Sequence, residues 1–325
     1  MKFDILQNFE TYKAPWIFRN PHINTIYPHL LRKYIKIDFS RTRIQTHDGD
    51  FIDLDMAGDN GQKVVVLLHG LEGSSNSHYI KGMSRTLLNS GFDVVVMNQK
   101  GCSGELNKLY SSYHSGKTDD LHEVLEHINA IYHYQDIVIV GFSLGANICL
   151  KYAGERGEQL KICAVIAISV PSDLEESADY LAKTSNILYM KRFMRMLRSK
   201  TKDRIKAFPN NGLTENKIDE CRTFQDFDDM YTAPAHGFTN AHDYWNKSSS
   251  KQFIEGIRKP TLIINALDDP FFGTLSHPVN EVKNNDCVNL IQPKNGGHVG
   301  FSGWNLNKSL WHERVVLKFI QLNLS

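Results

Sequence analysis

Six short apolar runs divide the chain: Val64 to Leu68, Phe92 to Met97, Ile137 to Val140, Ile162 to Val170, Pro260 to Leu267 and Val288 to Gln292. Each is short, and most are rich in β-branched residues, which predicts buried strands. Between them the apolar positions recur at helical spacing. Asn76 to Leu88 reads as a helix stopped by Gly91. Asp119 to Tyr134 places Leu121, Val124, Leu125 and Ile128 on one face. Ala146 to Ala153 reads as a helix with Gly154 as its C-cap, and Leu310 to Leu322 as a closing amphipathic helix. Strands alternate with helices from Val64 to Val170, which predicts a parallel sheet there. Upstream, residues 34–40 and 43–57 alternate like strands. Asp48-Gly49-Asp50 marks a hairpin turn in the second run, so these strands are expected to be antiparallel at a sheet edge.

The pattern breaks after Val170. From Pro171 to about Lys251 the chain is mostly polar and helical in period, with no apolar strand. Such a stretch inside an α/β chain predicts a helical cap over the carboxyl edge of the sheet. Residues 13–35 mix Trp16, Phe18, Arg19, Asn20, Pro21 and His22 and predict a helical arm packing aromatics on the body. The expected organisation is an arm over 1–33, a core over 34–170 and 252–325, and a cap over 171–251. The expected fold class is α/β, with a mostly parallel central sheet, antiparallel N-terminal edge strands and a helical cap insertion.

Length and charge narrow the partners. The 325 residues suit one large α/β domain with an insertion or two smaller domains, and the net charge of +1 gives no reason to expect a nucleic-acid partner. The five cysteines (Cys102, Cys149, Cys163, Cys221, Cys287) are odd in number and scattered, with no metal-ligand spacing. Reduced thiols and a cytoplasmic location are expected, with no metal and no cofactor. The first residues carry Lys2, Asp4, Gln7, Asn8 and Glu10 without the apolar core of a signal peptide. The longest nearly apolar run, Ile162 to Val170, is far short of the roughly 20 residues of a membrane span. A soluble protein is expected, of undetermined oligomeric state.

The candidate chemistry starts at Gly141-Phe142-Ser143-Leu144-Gly145, which sits between a predicted buried strand and a predicted helix. Strand, Gly-x-Ser-x-Gly and helix form a nucleophile elbow, a turn that lifts the serine hydroxyl off the sheet edge toward a helix N-terminus. Serine is a poor nucleophile without a base. His298 follows the last strand on Asn295-Gly296-Gly297 and is the expected base. A carboxylate must then orient its ring. Asp268 and Asp269 both end the preceding strand; Asp269, three positions after the small residue Ala266, is preferred. The order Ser, Asp, His suits this arrangement. The oxyanion requires two N–H donors. Leu144, following the nucleophile, and Leu71, in the Gly-rich loop after Val64–Leu68, are the expected pair.

Other features carry less. His69 and Glu72 read as loop architecture, a hydrogen-bonded histidine and a solvated glutamate. His114 and Asp119 match a spacing some acyltransferases use, but their distance from the elbow favours coincidence. Ile187, Leu188, Met190, Phe193, Met194 and Leu197 lie opposite Lys191, Arg192, Arg195 and Arg198. This reads as a cap helix with a solvated charged face whose Met and aromatic residues suit an acyl pocket; transient contact with an anionic lipid surface is the alternative. Nothing marks Cys102 as reactive.

With these residues placed, the chain resembles the α/β-hydrolase superfamily, and within it the YheT-like branch of predicted carboxylesterases. The resemblance rests on Arg19-Asn20-Pro21-His22 with Thr25-Ile26-Tyr27-Pro28, on His69 to Ser75, on Lys100-Gly101-Cys102-Ser103-Gly104, on Gly141 to Asn147, on Asn265 to Phe271 and on Gly296 to Phe301. Lys100 and Pro21 depart from the usual arginine and glycine of that branch. The resemblance implies hydrolysis of short- to medium-chain acyl esters by Ser143, Asp269 and His298, with a small-molecule ester as substrate. Alternatives with the same residues are alcohol acyl transfer and lipid or monoacylglycerol lipase activity. A non-catalytic ligand-binding relative is the remaining reading.

Overall fold

The computed structural model describes residues 9–32, 34–59, 61–305 and 307–324. The leader-sequence reading of residues 1–8, and residue 33 of the expected arm, lie outside the described residues. Eight strands form one sheet: β1 (Ser40–Gln45), β2 (Phe51–Ala57), β3 (Lys63–Leu68), β4 (Asp93–Asn98), β5 (Asp136–Phe142), β6 (Ala164–Ile168), β7 (Thr261–Ile264) and β8 (Val288–Ile291). Their order is β1-β2-β4-β3-β5-β6-β7-β8. The β1–β2 and β2–β4 pairs are antiparallel, and all others are parallel.

The helices used below are α1 (Pro21–Leu31), α2 (His78–Leu88), α3 (Thr118–Tyr132), α4 (Leu144–Arg156), α5 (Leu174–Ala182), α6 (Ile187–Ala207), α7 (Glu215–Glu220), α8 (Ala241–Ser248) and α9 (Trp311–Asn323). Alternate residues of the central strands feed two cores. Val64, Val66, Leu68, Ile137 and Ile139 pack with Leu121 and Val124 of α3 and Ile148 of α4. Val65, Leu67, Val94, Val138 and Val140 pack with Ile80 and Met83 of α2 and Val316 and Phe319 of α9 on the other face. Burial on both faces is why these strands read as unbroken apolar runs.

Two expectations are corrected. Residues 34–39 form no strand; the edge strand begins at Ser40, where pairing with Met56 begins. The alternation upstream reflects single side chains, such as buried Ile35, resting on the body without a partner strand. Gly154 is no C-cap. It lies inside α4, which runs on to Arg156 and ends at Gly157 with φ +53°. A Cβ at Gly154 would collide with the backbone of Phe253, in the 3₁₀ turn Ser250–Gly256 packed against this helix. Close backbone approach, not termination, calls for the glycine.

Between β6 and β7 the chain is helical and contains no strand, as its period predicts. Its own apolar cluster gathers Leu181, Met190, Met194, Leu197, Ile218, Phe227 and Tyr231 with Phe271 and Phe272. This cluster lies beside the carboxyl ends of the strands, where the candidate residues converge.

Candidate active site

β5 ends at Phe142 and α4 begins at Leu144, leaving Ser143 alone in the turn at φ 52°, ψ −120°. A non-glycine residue held there stores about 1–3 kcal/mol of strain. The two glycines of the motif permit it. A Cβ at Gly145 would stand 2.5 Å from Leu68 O and 2.6 Å from His69 O, and one at Gly141 would stand 2.5 Å from Ala146 Cα. Strand and helix backbones therefore cross at a separation only glycine tolerates. Ser143 N donates to Ile168 O at 2.9 Å, anchoring the turn to β6.

The structure brings three of the expected side chains into one hydrogen-bonded chain. His298 Nε2 lies 2.9 Å from Ser143 Oγ. His298 Nδ1 lies 2.9 Å from Asp269 Oδ2 and 3.2 Å from Oδ1. A buried carboxylate facing Nδ1 fixes the proton there, so the Nε2 lone pair faces the serine hydroxyl. The Asp269 side chain is fully buried, and its Oδ1 also accepts from Phe271 N at 2.9 Å. Asp268 points elsewhere. It accepts from Gly297 N at 3.0 Å and from Asn295 Nδ2 at 3.1 Å, holding the loop that carries His298; burial raises its pKa.

That loop has further supports which spacing along the chain does not reveal. His298 N donates to Thr25 Oγ1, and Val299 N to Ser169 Oγ, both at 2.9 Å. Thr25 belongs to α1, whose N-terminus Asn20 caps by accepting from His22 N and Ile23 N. The arm thus buttresses the histidine loop. The Phe271 ring stacks on the imidazole at a centroid distance of 4.0 Å, and Phe272 meets it edge-on at 6.2 Å. Positive φ angles at Glu72, Ser143, Ser169, Val299 and Phe301 gather around these groups, as strained backbone does at functional sites.

Leu71 and Leu144 flank the same space. In the loop after β3, Gly70 N donates to Tyr79 OH at 3.0 Å and Glu72 N to Tyr113 OH at 2.8 Å. The Leu71 N–H between them has no acceptor among the described residues. Leu144 opens α4, where the first amide has no intrahelical partner. His69, behind this loop, is fully buried: Gln99 N donates to Nε2 at 3.1 Å, and Nδ1 lies 2.8 Å from Gly70 O. Burial pushes its pKa down to about 4, so a neutral ring holds the loop to Gln99, just past the end of β4.

The expectation of a solvated Glu72 is corrected. Its carboxylate is buried, taking Lys200 Nζ at 2.9 Å and Tyr113 OH at 2.8 Å. Lys200 comes from α6, more than a hundred residues away in sequence, so the pairing had no local signature. Cys102 Sγ lies 3.0 Å from the same Nζ, yet burial pushes its thiol up to about 11, which keeps it protonated. His114 and Asp119 are not paired: His114 packs on His236 at 4.5 Å, while Asp119 is exposed beside Lys117.

A cavity of about 130 Å³ opens at Ser143 and His298. Leu174, Leu181, Phe193, Leu197 and Phe271 make much of its wall apolar, and Asp228, Thr232 and Tyr244 add a polar stretch. The cavity runs between the sheet edge and the helices that follow β6. Asn147, in the first turns of α4, ties these layers together. It donates to Ser115 O at 2.9 Å and Ser248 O at 2.8 Å and accepts from Ser250 N at 2.8 Å.

Residues 63–302 match the family described as the alpha/beta hydrolase fold. The chain belongs to that family. Among its relatives is the "Putative esterase YheT" of Escherichia coli (strain K12), 33% identical over 302 residues, covering 91% of this chain and 88% of that one. The monoacylglycerol lipase of Saccharomyces cerevisiae is 28% identical over 279 residues, with 83% of this chain and 61% of that one covered. Among solved structures, the Pyrococcus furiosus esterase Pf2001 superposes with a TM-score of 0.60 at 16% identity, covering 98% of this chain and all of that one; it supports the fold alone. No helix among the described residues is long and apolar enough to cross a membrane.

Proposed function

We propose that this α/β hydrolase is a carboxylesterase that cleaves esters of short- to medium-chain acids through an acyl-enzyme. One observation carries the reading: the continuous chain from Ser143 Oγ through His298 to buried Asp269, at the mouth of an apolar cavity. Ser143 Oγ attacks the ester carbonyl while His298 Nε2 takes its proton. Asp269 holds the ring and stabilises the imidazolium. The negative charge on the former carbonyl oxygen falls to the unspent N–H groups of Leu71 and Leu144, each worth roughly 3 kcal/mol in the transition state. His298 returns the proton to the leaving alkoxide. It then activates a water that cleaves the acyl-enzyme and restores Ser143.

The names of the relatives support an ester, and the lipase among them supports an acyl chain in the apolar cavity. Unpaired cysteines fit a reducing compartment such as the cytoplasm. The test is labelling by a fluorophosphonate probe, followed by p-nitrophenyl esters of increasing chain length. The native protein is expected to label and Ser143→Ala to remain unlabelled and inactive. Absence of labelling in the native protein overturns the reading. Ethyl ester in place of free acid when ethanol is added would make an alcohol, not water, the acceptor.

A further inference from the structure

α1 carries its apolar residues on two sides. Pro28 faces the body, as does Phe18 in the 3₁₀ turn before the helix, but Ile23, Ile26 and Leu30, spaced i, i+3 and i+7, form a stripe turned outward. Their exposures are 39, 40 and 57%, and the neighbouring Leu31 is exposed as well. The start of α6 runs beside this stripe. Tyr189 stacks on His22 at 5.7 Å, with its hydroxyl 3.2 Å from His22 Nδ1. The expected split of this helix is corrected here: Leu188 stands 76% exposed, with exposed Ile187 beside it, on the side of the cations and not opposite them, whereas Met190, Met194 and Leu197 on the other face of α6 are buried. Lys191, Arg192 and Arg195 continue the outer face of α6, all exposed. They form no ion pair with any described residue, whereas Lys200 and Lys202 further along α6 are paired with carboxylates.

Two segments whose contacting residues, His22 and Tyr189, lie 167 positions apart in sequence therefore present one surface with apolar side chains in its centre and three uncommitted cations at its rim. The apolar part alone would suit many occupants. The charges narrow them, because they call for an anionic surface that also takes up aliphatic side chains. A lipid leaflet bearing anionic headgroups has both properties. The position adds a reason. Thr25, on α1, holds the His298 backbone, and Tyr189 packs on Phe271, which stacks on the His298 ring. The surface thus borders the mouth of the cavity.

We propose that the outer faces of α1 and the first turns of α6 form a docking surface for anionic bilayers, with Ile26, Leu30 and Leu188 entering the acyl boundary and Lys191, Arg192 and Arg195 meeting the headgroups. The binding does not depend on ester hydrolysis and is read without it. The test is co-flotation of the full chain with vesicles of phosphatidylcholine alone and of phosphatidylcholine with phosphatidylglycerol. The native protein is expected to float with the anionic vesicles at low salt and to be released as salt rises. Ile26→Asp with Leu188→Asp should weaken the partition at least tenfold. Lys191→Gln with Arg192→Gln and Arg195→Gln should weaken it about a hundredfold on anionic vesicles, from the loss of roughly a fivefold factor for each of three charges. Unchanged thermal midpoints keep both variants interpretable. Failure to float, equal binding to both vesicle types, or binding untouched by either variant overturns the proposal. So does a concentration-dependent dimer that the Ile26→Asp, Leu188→Asp variant abolishes, since the face would then belong to a second copy of the chain.

Discussion

Asp269→Asn separates the two adjacent carboxylates most sharply. In the native site Oδ1 of Asp269 accepts from the Phe271 amide at 2.9 Å, and Oδ2 faces His298 Nδ1 at 2.9 Å. An asparagine here has only one acceptor oxygen, and the Phe271 N–H claims it. The amide nitrogen is left where Oδ2 stood, pointing its hydrogens at Nδ1. Nδ1 must then accept, so the ring proton moves to Nε2 and the imidazole can no longer take a proton from Ser143. Loss of the charge-assisted bond alone is worth about 1.5–3 kcal/mol. The wrong tautomer brings the total to about 10⁴-fold in kcat, or roughly 5.5 kcal/mol. Asp268→Asn is different. Its acceptors serve Gly297 N and Asn295 Nδ2, and an asparagine oxygen can retain one of them. The expected loss is within about tenfold, as for one weakened hydrogen bond. Steady-state hydrolysis of a p-nitrophenyl ester measures both. Equal losses in the two variants, or an Asp269→Asn variant keeping a tenth of native kcat, would refute the tautomer argument.

Two further outcomes concern stability. Gly154→Ala should lower the thermal midpoint, because the added methyl meets the Phe253 backbone; an overpacking cost of about 1–3 kcal/mol outweighs the roughly 1 kcal/mol that alanine gains in a helix, and an unchanged or raised midpoint would contradict this. Burial pushes the Asp228 carboxyl up to about 7, from an ordinary value near 3.9. Between those values the folded chain keeps a proton that the unfolded chain has lost, so this group's contribution to stability falls as pH rises from about 4 to about 7. Asp228→Asn, which can still accept from Trp245 Nε1, should therefore gain stability over the native protein as pH rises through that window and level off above it, by at most about 4 kcal/mol. Urea unfolding at about pH 5 and pH 8 checks this; equal differences at the two values would exclude it.

The strands and the elbow were legible because their causes are local. A strand buried on both faces must be apolar throughout, and a sharp crossing of strand and helix must use glycine, so Val64–Leu68 and Gly141–Gly145 announce themselves. The convergence of Ser143, Asp269 and His298 followed from their places at strand ends. What stayed hidden depends on partners distant in sequence. Gly154 looked like a stop signal because the backbone that presses on it comes from residue 253. Glu72 looked solvated because its lysine comes from α6. Phe271, the ring against His298, carried no signal beyond following Asp269. Thr25 gave no hint of its bond to the His298 backbone.

That last bond concerns the order in which a working molecule comes into being. His298 lies 155 residues beyond Ser143, and the loop that carries it is clamped to an arm near the start of the chain. Buried Arg32, just after α1, in turn grips Glu313 of the final helix through both guanidinium ends. Synthesis runs from the amino to the carboxyl side, so Ser143, its glycine turn and most of the sheet are made before His298, the base proposed for them. If Ser143 and His298 act as proposed, the serine stays chemically idle until the His298 loop has been made and has docked on α1.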